Sequence, residues 1–115
     1  MKTLPQIDEK FLLDFLTGLL NTPSPTGFAV AGVHFTEQAL AAFPALRLRR
    51  TRKGALAADW KGLENNHPRG LTAHADTLGA MVKEIKPNGR LKLTRIGGYP
   101  WNTIEGEGCT VFTQG

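Results

Sequence analysis

Apolar residues recur at helical spacing near the start of the chain. Between Ile7 and Leu20 they fall three and four residues apart, as on one face of a helix. Asp8 and Glu9 stand at the end of this stretch where the helix dipole attracts negative charge. The pattern predicts an amphipathic helix from residue 7 to residue 20.

A proline-rich segment, "NTPSPTG", separates this helix from a second one. Pro23 and Pro25 lack the backbone N–H that would continue a helix. Thr26 is a residue type that caps helices, and the sequence therefore predicts a second helix from about Gly27 to Phe43. We expect its buried stripe to consist of Val30, Val33, Leu40 and Phe43.

Beyond Pro44 the hydrophobic period changes from helical to alternating. Leucine alternates with arginine in "LRLRR", and apolar residues alternate again in "LAADW" after a turn at Lys53 and Gly54. This pattern predicts a β-hairpin. The polar stretch "GLENNHPRG" predicts a loop, and "LTAHA" predicts a short strand that ends near His74.

The remaining segments predict more strands. "LGAMVKEI" and "RLKLTRI" flank the turn residues Pro87, Asn88 and Gly89, which indicates a second hairpin. "CTVFT" predicts a last strand, and because a strand needs a pairing partner we expect the sequence to be interrupted after it. Helices followed by strands predict an α/β fold.

Composition indicates one soluble globular domain. The 115 residues are 41% hydrophobic and 21% charged, which suffices for a core without disulfides. Cys109 is the single cysteine, so an intrachain disulfide or a thiolate zinc cage is excluded. Neither a signal peptide nor a membrane-spanning stretch is apparent, and we expect a cytoplasmic protein without membrane contact.

The candidate chemistry lies at His74 and Asp76. A neutral imidazole binds zinc or cobalt well when a carboxylate orients it, and residues two apart on a strand share a face. Co-catalytic metal hydrolysis needs about five protein ligands and a general base. His34 and His67 stand at no complementary spacing. A hydrogen-bonded structural histidine is therefore the alternative interpretation of His74.

Four ordered motifs resemble the co-catalytic metalloaminopeptidases of the glutamyl and tetrahedral aminopeptidase family. They are "LLNTPSPTGF", "TAHADTLGAMVKEI", "NGRLKLTRIGGYPW" and "EGEGCTVFTQG". The resemblance covers nearly the whole chain but matches the N-terminal third of such an enzyme. By this resemblance, residues 1–75 are the N-terminal part of a metallopeptidase catalytic domain with a mixed sheet. Residues 76–115 are the first strands of an inserted, β-barrel-like dimerisation domain.

The resemblance also implies roles for the candidate pair. His74 is the first metal ligand, and Asp76 is the catalytic carboxylate that orients it; Thr77 replaces the Glu that usually follows. The complete enzyme would hold two divalent ions, zinc or cobalt, act on peptides and form a homo-oligomer. The remaining ligands and the general base would lie beyond Gly115.

These implications give a predicted function. We expect a fragment of a divalent-metal-dependent aminopeptidase that removes N-terminal residues, inactive by itself and at most a weak metal binder. Two alternatives stay open. One is a non-catalytic module that binds phosphates through "RLRRTRK", which contributes to the net charge of +4, although aromatic residues for nucleic-acid bases do not interleave it. The other is self-association through residues 80–115, with candidates Tyr99, Trp101 and Phe112.

Overall fold

The computed structural model describes residues 5–64 and 66–113. The chain divides into two compact units, of which the first ends at Thr77 and the second begins at Leu78. This division lies close to the predicted boundary between residues 75 and 76. The catalytic and dimerisation roles predicted for the two parts stay predictions.

The first helix, α1, spans Glu9–Leu20. The Asp8 carboxylate accepts a hydrogen bond from the backbone N–H of Phe11 at 2.9 Å, which caps the helix at its start. The predicted helix is confirmed, and it begins after Ile7 because Asp8 takes the capping position. At the other end, the Asn21 side chain donates to the carbonyl of Thr17 at 2.9 Å.

The second helix, α2, spans Val30–Ala41 and begins later than predicted. The expected cap at Thr26 is wrong: Ala29 occupies the capping position without a side-chain hydrogen bond. Thr26 instead donates its hydroxyl to Asp76. Because α2 begins four residues after Thr26, this hydroxyl does not stand at the helix start, and it donates to a residue 50 positions later in the chain.

The predicted apolar stripe of α2 is only partly buried. Val33 and Leu40 are half-buried, but Val30 is 73% exposed and Phe43 is also exposed. The buried residue of this helix is Gly32. Val30 lines an open groove, which fits its exposure.

Aromatic side chains pack α1 against α2 and against Phe43, which follows α2. The Phe15 and Phe35 rings lie 5.6 Å apart, centroid to centroid, and the Phe11 and Phe43 rings lie 6.0 Å apart in an edge-to-face arrangement. Gly18 makes this approach possible, since a Cβ there would lie 2.5 Å from the Phe35 ring.

The first predicted hairpin is confirmed. Strand β1, Leu46–Arg50, pairs antiparallel with β2, Leu56–Trp60, and Leu48 stands opposite Ala58. Gly54 has a φ of +83° in the connecting turn, a conformation that favours glycine. The Arg50 guanidinium donates to the Glu37 carboxylate at 2.6 and 3.1 Å, which ties β1 to α2.

The predicted strand "LTAHA" is wrong. Residues 71–76 form no strand, and the backbone of this stretch meets another segment in an isolated parallel bridge between Thr77 and Pro25. A strand requires a neighbour along its whole length, and among residues 5–64 and 66–113 none lies there. The described sheets are two antiparallel pairs, so the mixed sheet is not observed.

The second unit is built on the second predicted hairpin, which is confirmed. Strand β3, Gly79–Ile85, pairs antiparallel with β4, Leu91–Ile96, with a register shift between Val82 and Glu84. A short 3-10 helix, Trp101–Thr103, follows. The predicted strand "CTVFT" is wrong, since residues 109–113 form none. With two strands in the described part of this unit, the barrel-like form is not observed either.

Tyr99 organises the interior of the second unit. It is 8% exposed, its hydroxyl donates to the Gly79 carbonyl at 2.8 Å, and the Arg95 guanidinium donates to its carbonyl. Packing within the unit therefore uses this residue. The two helices and two antiparallel strand pairs of the described residues confirm the predicted α/β class. Neither α-helix in the described ranges has the length and apolarity needed to cross a bilayer.

The ion pair between Glu37 and Arg50 predicts how stability depends on pH. The hydrogen bond from Arg50 lowers the pKa of Glu37 from its ordinary 4.5, and His34, 3.8 Å from the carboxylate, acts in the same direction. Because the pKa of Glu37 is lower in the folded state, the ionised carboxylate stabilises the fold above pH 4.5. This stabilisation is lost as the pH falls through the lowered pKa. We expect Glu37→Gln to be less stable than the parent near neutral pH and the difference to shrink in acid.

Chemical denaturation between about pH 6 and pH 3 measures this difference. Arg50→Gln is the matched control, because it removes the cause of the pKa shift and leaves the carboxylate. Arg50→Gln should make the free energy of unfolding depend less on pH over the same range. A difference between parent and Glu37→Gln that stays constant across this range would contradict the prediction.

Candidate functional site

The candidate site forms where residues 74–77 meet the loop between α1 and α2. The backbone N–H of Thr77 donates to the Ser24 carbonyl at 2.8 Å, and the N–H of Thr26 donates to the Thr77 carbonyl at 3.1 Å. The Ser24 side chain is 1% exposed, and its hydroxyl donates to the Ala75 carbonyl at 2.8 Å. We call these three hydrogen bonds the loop clamp. They fix the backbone on both sides of Asp76.

Gly32 of α2 makes room for the loop clamp. A Cβ at this position would lie 2.9 Å from the Cβ of Ser24, closer than side chains tolerate. The buried glycine and the buried serine therefore lie against each other. This contact sets how closely the loop approaches the helix.

The structure brings the predicted pair together. Nδ1 of His74 lies 3.1 Å from Oδ1 of Asp76 and 3.2 Å from the Asp76 carbonyl oxygen. Both oxygens accept hydrogen bonds, so the pair assigns the proton to Nδ1 and leaves a lone pair on Nε2. Nε2 takes part in no hydrogen bond within the described ranges, and the imidazole is 86% exposed. The ligand role of His74 itself stays a prediction.

Thr26 contacts the other carboxylate oxygen. Its hydroxyl donates to Oδ2 of Asp76 at 2.6 Å. This hydrogen bond lowers the pKa of Asp76 from its ordinary 3.8 against the opposing effect of partial burial, and the contact with His74 lowers it further. The carboxylate is therefore ionised at neutral pH and able to accept from Nδ1 of His74.

The pair borders an open groove of about 660 Å³ in the first unit. Apolar side chains of α2 line part of it, among them Val30, Val33 and Leu40, and His74 and Asp76 also line it. The groove leaves the pair open to approach by a ligand. The hydrogen-bonded structural histidine, the alternative interpretation of His74, shares the contact with Asp76, and the two interpretations differ in whether Nε2 binds a ligand.

The donor set is small. No group of three or more His, Cys, Asp or Glu residues able to hold a metal ion occurs in the part of the chain that the structure describes. His34 contacts Glu37 instead, and His67 lies in the irregular segment between β2 and β3. The pair therefore fits one imidazole ligand with its orienting carboxylate, and not a complete metal site.

Ion pairs and burial engage residues of both alternative functions. Within the basic segment 47–53, Arg49 lies 3.3 Å from Asp59, and Arg50 is bonded to Glu37. Among the self-association candidates, Tyr99 is buried in its own unit, whereas Trp101 and Phe112 are exposed. Ion pairing reduces the charge offered to phosphates, and burial removes Tyr99 from a contact surface.

Comparison with known proteins gives two findings. The model of a family described as M42 glutamyl aminopeptidase matches residues 54–115, a range that contains His74 and Asp76. The Bacillus subtilis (strain 168) protein named "Putative aminopeptidase YhfE" is 44% identical over 101 residues. That alignment covers 88% of this chain and 29% of the relative, so the chain spans less than a third of the relative's length.

The contact between Gly32 and Ser24 yields a stability prediction. Replacing a helical glycine with alanine ordinarily stabilises by about 1 kcal/mol. Here we expect Gly32→Ala to destabilise, since the added methyl would force Ser24 away, and overpacking of this kind costs about 1–3 kcal/mol. Urea denaturation measures the change in the free energy of unfolding.

A Ser24→Gly background is the control for this substitution. There the Cβ that causes the clash is gone and the helical gain remains, so Gly32→Ala should be neutral or stabilising. Equal effects of Gly32→Ala in both backgrounds would show that Ser24 does not limit this position.

Proposed function

The chain belongs to the M42 glutamyl aminopeptidase family, and on this basis we propose that it supplies the first metal ligand of a divalent-metal aminopeptidase. In this proposal His74 binds a metal ion through Nε2, and the Asp76 carboxylate orients the imidazole by accepting a hydrogen bond from Nδ1. The substrate class is peptides, from which N-terminal residues are removed. The relative's name, which includes the word aminopeptidase, supports the same activity.

One observation carries the proposal. The 3.1 Å contact between Nδ1 of His74 and Oδ1 of Asp76 is the arrangement in which a carboxylate sets the tautomer of a metal-binding histidine. It leaves the Nε2 lone pair on a side chain that is open to solvent. An exposed Nε2 with a free lone pair is what a metal ligand requires.

The chemistry follows from the family and the donor set together. Two divalent ions, zinc or cobalt, would when bound polarise the substrate carbonyl and lower the pKa of a bound water towards neutrality. His74 would hold one ion through Nε2, and Asp76 would accept the hydrogen bond from Nδ1 and so orient the imidazole. The groove beside the pair would admit the peptide.

The remaining ligands are proposed to come from polypeptide outside these 115 residues. The described part offers one imidazole and one orienting carboxylate, whereas co-catalytic hydrolysis needs about five ligands and a general base. The chain also matches 29% of the relative's length. We therefore propose that it functions as a fragment of a larger enzyme.

Exposed apolar residues on β3 and β4, such as Met81, Ile85 and Leu91, support a homo-oligomeric contact of that enzyme.

The metal-binding proposal predicts a site-specific response to zinc. Added zinc should shift the imidazole signals of His74 and the amide signal of Asp76 in heteronuclear NMR spectra. His74→Ala should abolish this response at Asp76. The affinity should be weak, because one imidazole supplies too little of a zinc coordination sphere.

His67→Ala is the matched control, since His67 is also an exposed histidine but lies in the loop after β2. It should leave the zinc response of Asp76 unchanged. Zinc-induced shifts confined to His34 or His67 would contradict the proposed role of His74.

A second prediction concerns catalysis. The purified chain should show no zinc- or cobalt-dependent hydrolysis of aminoacyl amides, because the general base and most ligands are missing from the described residues. Release of the chromophore from an aminoacyl p-nitroanilide measures this. Metal-dependent turnover that His74→Ala removes would disprove the fragment proposal while supporting the ligand role of His74.

A further inference from the structure

We propose that Thr26 is a positioning residue of the metal site. Its hydroxyl fixes the Asp76 carboxylate so that the other oxygen faces Nδ1 of His74, and the imidazole then presents Nε2 as the ligand atom. This inference rests on the proposed function of His74. It adds a third side chain to the predicted pair, from a loop 50 residues earlier in the sequence.

The two carboxylate oxygens of Asp76 have different partners. Oδ2 accepts from the Thr26 hydroxyl at 2.6 Å, and Oδ1 lies 3.1 Å from Nδ1 of His74. Hydrogen bonds from a hydroxyl to an ionised carboxylate at this length are among the stronger ones. Because a carboxylate is planar, fixing one oxygen fixes the direction of the other. The contact between Asp76 and His74 therefore depends on Thr26.

Asp76 needs this support because its side chain is 34% exposed. Water reaches the carboxylate and competes for both oxygens, and rotation about the terminal torsion of an aspartate is soft. Without the hydroxyl of Thr26, the carboxylate would sample orientations in which Nδ1 of His74 has no acceptor. The 3.2 Å contact between Nδ1 of His74 and the backbone carbonyl oxygen of Asp76 would remain. A carbonyl oxygen, however, carries less negative charge than a carboxylate oxygen.

The hydroxyl of Thr26 is not needed to build the loop. The backbone N–H of Thr26 bonds the Thr77 carbonyl at 3.1 Å, and Ser24 supplies the buried contact to Ala75. The Thr26 hydroxyl also lies 3.3 Å from the Thr77 carbonyl, but its single proton goes to the shorter, charged acceptor. Removing the hydroxyl should therefore alter the carboxylate without unfolding the loop clamp.

The consequence is a preference between the two neutral forms of His74. An acceptor at Nδ1 favours the form with the proton there, which leaves Nε2 as the metal ligand. An imidazole without this acceptor distributes its proton between both nitrogens. Loss of such a supporting contact typically weakens metal binding 10- to 100-fold.

The test compares Thr26→Val, Thr26→Ser and Thr22→Val with the parent chain. Valine preserves the shape of threonine, and serine preserves its hydroxyl. Thr22→Val is the matched control, because it also removes a hydroxyl from this loop, one that donates to the Gly18 carbonyl and does not touch Asp76. Imidazole 15N shifts of His74, recorded without metal about two units above the ordinary histidine pKa of roughly 6.5, report the tautomer. Zinc titration then gives the affinity.

We expect Thr26→Val to shift His74 from the Nδ1–H form towards a mixture and to weaken zinc binding about tenfold. Thr26→Ser and Thr22→Val should match the parent in both measurements. Amide signals of Ser24 and Thr77 should stay in place in all three variants, which shows that the loop clamp is intact.

The outcomes separate this inference from the proposed function. If Thr26→Val leaves the tautomer of His74 and the zinc affinity unchanged, the positioning role of Thr26 is wrong while zinc binding at His74 in the parent still stands. If the tautomer changes but zinc does not bind His74 in any variant, Thr26 positions the pair and the metal role is wrong. If Thr22→Val produces the same changes as Thr26→Val, the effect comes from the loop as a whole and the inference is overturned.

Discussion

The loop clamp is the constraint on which the first unit depends. It joins two segments that are 51 residues apart in the chain through the Ser24 hydroxyl and the backbone of Thr77. Neither segment belongs to a sheet, so these hydrogen bonds replace the ladder that would otherwise fix the backbone. Asp76 lies between the clamped residues. Its position is therefore set by the main chain before its carboxylate makes any contact.

Burial in the first unit is unusual in that a polar side chain is the most enclosed. Ser24 is fully buried in the described structure, and many large apolar side chains remain exposed. A buried hydroxyl without a partner would destabilise by about 1–3 kcal/mol, but Ser24 donates to the Ala75 carbonyl. The close approach to Gly32 then excludes water from this bond. Ser24 is therefore held both by its hydrogen bond to Ala75 and by its packing against Gly32.

Local patterns predicted the fold well where structure is local. The alternation of leucine and arginine predicted β1, the helical spacing of apolar residues predicted α1, and the turn at Pro87 to Gly89 predicted the second hairpin. That Asp8 caps α1 was not predicted, because the predicted helix already contained this residue. Helix spacing and strand alternation report contacts within a few residues, which the sequence displays directly. The predicted strands over 71–75 and 109–113 failed because a strand also needs a neighbour, and propensity alone does not supply one.

The site shows the same division between near and distant contacts. The spacing of His74 and Asp76 predicted that two side chains meet, and they do so at 3.1 Å. Thr26 was predicted to cap α2 because threonine ordinarily bonds backbone groups within a few residues. A capping threonine accepts a hydrogen bond from a helix N–H through its oxygen, whereas the Thr26 hydroxyl donates its proton to the Asp76 carboxylate, 50 residues away. The helix itself begins only at Val30, and Ala29 occupies its capping position. No signal in a single sequence distinguishes these two partners; only the loop clamp, which places Thr26 beside Asp76, decides between them.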